Sequence, residues 1–179
     1  MDIREFVELS TGKWFSQRTV HNLSSGQLQA GKSDLFFEIL APTDPSVIKL
    51  CSQQAIHPTA DSVFALNTNW NGSFMDNPVK GSTVIVFIPD EDNLKEGKVL
   101  QENGLPTRYI MSDNDILTLI TEAPDLYAEE KLWFLSSNLR LHSSILRESN
   151  RFTQASFRSA IRMGAAPELA NTVSNAQAI

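Results

Sequence analysis

The chain predicts an all-β protein, an antiparallel barrel or sandwich, and three observations carry that reading. From residue 62 onward, short runs of β-branched and aromatic residues follow one another, with Gly, Pro, Asn or Asp in most of the gaps. Counted along the whole chain there are roughly ten such runs, a meander of the kind that closes into sandwiches and barrels. Only two segments read as helices, and nothing resembles the long crossovers that a parallel sheet needs.

The elements follow in order. Asp2 can cap a short helix that buries Phe6 and Val7 and ends at Gly12. KWFSQRTVHNL (13–23) then switches to strand character, Ser25-Gly26 and Ala30-Gly31 mark turns, and DLFFEIL (34–40) is a second strand. Asp44-Pro45 is a capping residue followed by proline at the first helical position. The inserted helix it starts runs to about Gln54, with Ile48, Leu50 and Cys51 as its apolar stripe and Pro58 as its stop. SVFALNTNW leads into Asn71-Gly72, a strong hairpin signal because both residues tolerate positive φ. GSTVIVFIP, GKVLQEN, TRYIMSD, DILTLITEA, LYAEEKLWF, LRLHSSIL and FTQASFRSAIR complete the set. Residues 1–164 read as one domain, and the Ala/Asn/Ser-rich 165–179 is expected to fray.

Composition excludes several functions. A chain of 179 residues, 41% hydrophobic and 20% charged, is long enough to bury a real core. A net charge of −6 argues against a nucleic-acid partner. The acidic start MDIREFVELS is no signal or transit peptide, and the longest apolar run, VIVFI, is far too short to span a membrane. The expectation is a cytosolic or stromal protein. The lone Cys51, in VIKLCSQQ, reads as a small core residue with no base beside it. Phosphate-loop, dinucleotide and serine-hydrolase signatures are missing, and His21, His57 and His142 are too scattered to predict a metal site.

The most informative stretch is EEKLWFLSSNLRLHSSIL (129–146). Ser136-Ser137-Asn138 suits a three-residue hairpin loop with Asn138 left-handed. Phe134 then opposes Arg140, Leu132 opposes His142 and Glu130 opposes Ser144, so these side chains share one face. A register one residue different would put Glu129 there instead of Glu130. Such a face is either the wet outside of the barrel or the wall of a pocket. As a pocket wall, Phe134 would pack on an aromatic ligand, Arg140 would hold a carboxylate in a fork, and Glu130 would accept N–H bonds or exchange a proton. Trp14, Gln17, Arg18 and Thr19 form a second polar-aromatic strand, and Arg158 and Arg162 lie on the last strand with Ser156 and Gln154. The plain reading of that arginine pair is a solvated edge, and that of Trp70 and Trp133 is packing.

Four segments, DIREFVELSTGKWFSQRT, GSTVIVFIPD, EEKLWFLSSNLRLHSSIL and FTQASFRSAIRMG, resemble the CpcS/CpeS-type phycobiliprotein lyases of cyanobacteria and some plastids, including their CpcU-like partner subunits. The likeness covers about residues 1–164. It implies a ten-stranded lipocalin or fatty-acid-binding-like β-barrel with a short N-terminal helix and one inserted helix. It implies a protein that binds an open-chain tetrapyrrole, a bilin, noncovalently and delivers it to a cysteine of a phycobiliprotein subunit as a thioether. No cofactor is held permanently; phycocyanobilin and phycoerythrobilin both fit as substrate. The implied partners are phycobiliprotein α and β subunits, with pairing to itself or to a related lyase left open. By position in the shared motif, Glu130 and Arg140 match the family's chromophore-handling acid and arginine, and Arg18, Trp14, Phe134, His142, Ser144 and Arg158 are the expected ligand contacts.

One departure stands out. Many members carry a second arginine where this chain has His142. Histidine is shorter, is only partly charged near neutrality and cannot fork a carboxylate. Two further readings therefore remain: a non-catalytic bilin-binding partner of a lyase, and a lipid or fatty-acid carrier on the same barrel. The carrier would need an arginine pair around one carboxylate and would have no use for Glu130.

Overall fold

The structure is a computed structural model that describes residues 1–91 and 93–167; most of the tail expected to fray lies outside the described residues. Helix α1 (Ile3–Ser10) precedes strands β1 (Gly12–Asn22) and β2 (Leu28–Leu40), and helix α2 (Pro45–Ser52) precedes β3 (Phe64–Phe74), β4 (Asn77–Asp90), β5 (Asn93–Gln101) and β6 (Thr107–Met111). Strands β7 (Leu117–Ala123), β8 (Leu126–Ser136), β9 (Leu139–Glu148) and β10 (Arg151–Met163) complete the chain. Each strand pairs antiparallel with its sequence neighbour, and β1 pairs with β10, so a closed ten-stranded barrel forms as expected. Closure leaves no sheet edge exposed. Alternate residues of every strand point into the barrel.

Helix α1 plugs one end. Asp2 and Glu5 form a reciprocal capping box. The amphipathic turn IREFVELS then drops Ile3, Phe6 and Val7 among Trp14, Phe87, Tyr109, Met111 and Leu117. The helix is tied down at both ends. The Met1 amine lies 2.5 Å from Asp115 in the β6–β7 turn. At the other end Arg162, only 6% exposed, donates to the carbonyls of Leu9, Thr11 and Ser137 and lies 4.1 Å over the Trp14 ring. Arg162 is thus no solvated edge: one guanidinium satisfies the Leu9 carbonyl of α1 and that of Thr11, the residue capping it, and fastens the β8–β9 hairpin to them. Helix α2 begins as the Asp44-Pro45 pair predicts, and its buried side packs on the outside of β3 and β4 through Val47, Leu50 and Cys51. Ile48, expected in that stripe, is exposed, because Val47 completes the buried set with Leu50 and Cys51.

Three expected turns differ. Asn71-Gly72 and Ala30-Gly31 are paired strand residues, Ser33 opposite Gly72 and Gly31 opposite Phe74. At Gly72 an added Cβ would sit 2.1 Å from the Lys32 carbonyl oxygen, so this glycine serves close strand approach rather than a turn. The β3–β4 turn is Met75-Asp76, with φ of 51° and 60°. In the β8–β9 hairpin the expected pairs hold, but the turn is Ser137-Asn138 with a bulge at Leu135, and Asn138 is not left-handed. The bulge absorbs the residue assigned to a longer loop, so the facing is unchanged.

Arg162→Ala should lower the unfolding free energy by about 3 kcal/mol, because the buried Leu9 carbonyl and the part-buried Thr11 and Ser137 carbonyls lose a charged donor. Arg162→Lys, with its single compact ammonium, should recover less than half of that. Urea titration of the three proteins measures both.

Candidate functional site

The barrel interior is not filled. Beyond the α1 plug a cavity of about 530 Å³ runs toward the opposite end, its wall reaching Phe74 and Val79 beside the β3–β4 hairpin. Its size suits a small-molecule ligand. Leu35, Phe37, Trp70, Leu119 and Leu132 supply apolar wall; Arg18, Arg158, Arg140, Glu130 and His142 supply polar groups.

Register explains why those polar groups converge. Arg18 on β1 stands directly opposite Arg158 on β10, which stands opposite His142 on β9, which stands opposite Leu132 on β8. These residues form one inward row across four strands. Two residues along, on the same face, Ala160, Arg140 and Phe134 form the next row toward α1, and Ser156, Ser144 and Glu130 form the row on the other side. Glu130 is therefore inward. Glu129 faces out, where it accepts a 2.7 Å hydrogen bond from Tyr127 and sits 3.0 Å from Lys131.

The electrostatics are unbalanced. Arg18 and Arg158 are like charges in direct cross-strand opposition, which is destabilising on its own. Among the described residues no carboxylate lies within 4.0 Å of Arg18, Arg140 or Arg158. Arg140 lies 4.7 Å over Phe37 and 5.7 Å over Phe6, and its Nη1 is buried with no hydrogen-bond partner. Thr68 Oγ1, on the cavity wall, is also buried and unpaired. Burial, ahead of the Arg158 and Arg162 charges, pushes the Arg140 guanidinium down to about 9 despite Glu130. Arg18 and Arg158 are pushed down chiefly by burial as well.

Glu130 Oε2 lies 2.8 Å from His142 Nε2, a contact close in distance but off line for a hydrogen bond. Burial pushes the Glu130 carboxyl up, but the His142 contact and the Arg158 and Arg18 charges outweigh it, so Glu130 titrates below the usual carboxylate range. His142 is pushed down, by burial first and by Arg158 and Arg140, against the pull of Glu130. A neutral His142 leaves three arginines and one carboxylate on the wall, an excess of 3 − 1 = +2. Such a cavity selects a ligand with carboxylates to spare and an apolar body.

The other expected contacts fall elsewhere. Trp14 is fully buried, and its indole N–H donates to the Ser10 carbonyl at 2.9 Å. It belongs to the seat of α1, not to the cavity wall. Phe134 packs between Phe6 and Trp14, with ring centroids 5.2 and 6.0 Å away. Ser144 faces inward but exchanges a 2.7 Å hydrogen bond with Ser156 beyond the cavity wall. Trp70 packs as expected, against the core cluster and across Gly81, where a Cβ would come within 2.4 Å of its ring, and it lines the cavity as well. The signal for this was present: a glycine opposite a tryptophan on adjacent strands, legible once the turn is placed at Met75-Asp76.

Among the described residues no group of three or more His, Cys, Asp or Glu is placed to hold a metal ion, and no helix is long and apolar enough to cross a membrane. A family model described as "CpeS-like protein" matches residues 2–163. The chain belongs to the CpeS-like family. A chromophore lyase CpcS/CpeS from Trichodesmium erythraeum is 45% identical to this CpeS-like chain over 170 residues, covering 90% of it and 98% of the relative. A chromophore lyase CpcS/CpeS from Thermosynechococcus vestitus is 46% identical over 172 residues, covering 92% and 94%. The solved S-type phycobiliprotein lyase CPES from Guillardia theta superposes with a TM-score of 0.82 at 27% identity, covering 92% of the CpeS-like chain and 94% of its own. The chain is accordingly a chromophore lyase of the CpcS/CpeS type, on the barrel that the sequence likeness implied.

Both Glu130 and His142 titrate below their ordinary values when folded, so on acidification the unfolded chain takes up protons first and stability falls. The fall begins below 6.5 for His142 and below 4.5 for Glu130. The urea midpoint should therefore drop between about pH 7 and pH 5, and His142→Gln should remove most of that slope.

Proposed function

We propose that this chromophore lyase binds an open-chain tetrapyrrole noncovalently and delivers it to a cysteine of a phycobiliprotein subunit. The observation that carries the reading is the excess of +2 on the wall of a cavity that also offers the apolar surfaces of Leu35, Phe37, Trp70, Leu119 and Leu132. A bilin is a conjugated, flexible chain bearing two propionates, and two carboxylates cancel that excess. Arg140, with its unpaired Nη1, anchors one propionate. Arg18 and Arg158, opposed with no anion between them, hold the other. Glu130 accepts pyrrole N–H groups. Phe37, Trp70 and Leu132 cover the ring faces.

The reaction itself is an addition. The acceptor sulfur forms a bond to the exocyclic carbon of ring A, the carbon–carbon π bond is consumed, and the thiol proton ends on the tetrapyrrole. Nothing is oxidised and nothing leaves. The lyase needs no nucleophile of its own, in keeping with a buried Cys51 whose thiol burial pushes up. Its contribution is to fix one bilin geometry and to keep a proton acceptor, the Glu130 carboxylate, at the ring nitrogens.

His142 favours a second reading. A neutral imidazole in contact with Glu130 engages the very carboxylate that handles the pyrroles. A chain tuned for holding rather than for attachment would act as the binding subunit of a heterodimeric lyase. Attachment to an acceptor subunit with and without a sister lyase separates the two: a denaturation-resistant adduct formed by this chain alone supports catalysis, and an adduct only with the sister supports the binding subunit.

Titration of the purified chain with phycocyanobilin or phycoerythrobilin should give a red-shifted visible band, and Arg140→Ala should weaken binding at least about tenfold. No spectral change with the unaltered chain, or normal binding and transfer by Arg140→Ala, contradicts the proposal. Arg158→Met should separate stability from function. The empty chain gains about 1 kcal/mol from losing a like-charge opposition, while bilin affinity falls.

A further inference from the structure

Arg140 is a buried cation held by rings rather than by an anion. Its Nη1 is buried with no hydrogen-bond partner, and the guanidinium enters no ion pair among the described residues. What it has instead is two aromatic faces: it lies 4.7 Å over Phe37 of β2 and 5.7 Å over Phe6 of α1. Its neighbours in register are Ala160 on β10 and then Ser16 on β1, both small and buried, which leaves the long side chain room to reach those rings. A carboxylate and an aromatic ring use different parts of a guanidinium. The carboxylate takes the N–H edge in a fork. The ring attracts the flat face of the cation and leaves the edge donors free. Phe6 and Phe37 therefore hold Arg140 without consuming the donors that a ligand carboxylate needs.

The two rings differ in place. Phe37 is on the cavity wall, and Phe6 is not. Phe6 is buried and braced from behind: Phe134 packs on it with ring centroids 5.2 Å apart, and Trp14 packs on Phe134 at 6.0 Å. The Asp2–Glu5 capping box and the Arg162 contacts to Leu9 and Thr11 fix the helix that carries it. We propose that Phe6 is a positioning residue of the lyase, setting the Arg140 guanidinium against Phe37 with its N–H edge toward the cavity. The helix that plugs the barrel then also aims its carboxylate anchor. The inference deepens the function proposed above and rests on Arg140 as that anchor. Phe6 touches no ligand. Acting through Arg140, it sets how strongly the site prefers a charged propionate to a neutral one. A residue that only filled the barrel end could be any apolar side chain of similar bulk, whereas one that aims a cation must present a ring face.

The test measures equilibrium binding of phycocyanobilin and of its propionate dimethyl ester to the full chain, with the urea midpoint of each empty protein alongside. Phe6→Leu removes the ring face. A ring-fluorinated phenylalanine in place of Phe6 keeps the shape and weakens only the negative face, so it serves even where Phe6→Leu folds poorly. Val7→Ala loosens the same helix and removes no ring. The preference for acid over ester should fall at least about fivefold with Phe6→Leu and with the fluorinated ring. Val7→Ala should lower the urea midpoint and keep the preference. Beside Arg140→Met, Phe6→Leu should change the preference no further, and its cost in urea midpoint should shrink. An unchanged preference with the fluorinated ring overturns the proposal. So does an equal fall in acid and ester affinity with Phe6→Leu, or an equal loss of preference with Val7→Ala. An unaltered chain that binds neither compound, or both alike, overturns the reading of Arg140 as propionate anchor. The empty proteins then decide the positioning by themselves: a smaller cost of Phe6→Leu beside Arg140→Met supports it, and an undiminished cost overturns it.

Discussion

Three guanidiniums enclosed with a single carboxylate are the constraint around which this barrel is arranged. Charge of one sign inside a protein is expensive unless a counter-charge arrives. The chain accepts that cost at adjacent inward positions: Arg18 faces Arg158 across β1 and β10, and Arg140 sits one row above. Partial compensation comes from the faces of Phe6 and Phe37, which receive Arg140. Glu130 offsets a single charge. The remainder is stored, and the dianionic ligand of the proposed function would release it on binding, so that function would cost stability of the empty state.

That storage requires a shell that does not collapse, and Arg162 and α1 provide it. A fourth arginine on the same inward face is spent on structure, tying Leu9, Thr11 and Ser137 together beneath the Trp14 ring. The aromatic cluster of Phe6, Trp14 and Phe134 then seals one end of the barrel. With one end sealed, the cavity wall reaches the β3–β4 hairpin at the other. Four arginines that look alike in the sequence thus divide into one fastener and three charges on the cavity wall. What separates them is whether a backbone carbonyl lies within reach.

The sequence disclosed the strands, the caps and the register of the β8–β9 hairpin, because these depend on local periodicity and on residues close together in the chain. Asp2 with Glu5 and Asp44 with Pro45 are such signals. So is the opposition of Glu130 to Ser144, which survived a wrong loop because the bulge at Leu135 left the alternation intact. Features set by distant contacts were hidden. Asn71-Gly72 has turn chemistry, yet Gly72 is glycine because Lys32 and Ser33 of another strand crowd it. Trp14 and Phe134 carry the alternation of a pocket wall, but α1 folds over them and removes them from the cavity. Arg162 has the composition of a surface residue, and its carbonyl partners Leu9 and Thr11 lie at the far end of the chain.

The most direct measurement compares a bilin with its propionate dimethyl ester in equilibrium titrations with the unaltered chain. Esterification keeps the conjugated body and the pyrrole nitrogens and removes only the two negative charges. If the stored charge excess is what binds the ligand, the ester should bind at least about 100-fold more weakly, the loss of two charge-assisted contacts. Equal affinity for acid and ester would contradict the account, leaving the three inward arginines without the role assigned to them.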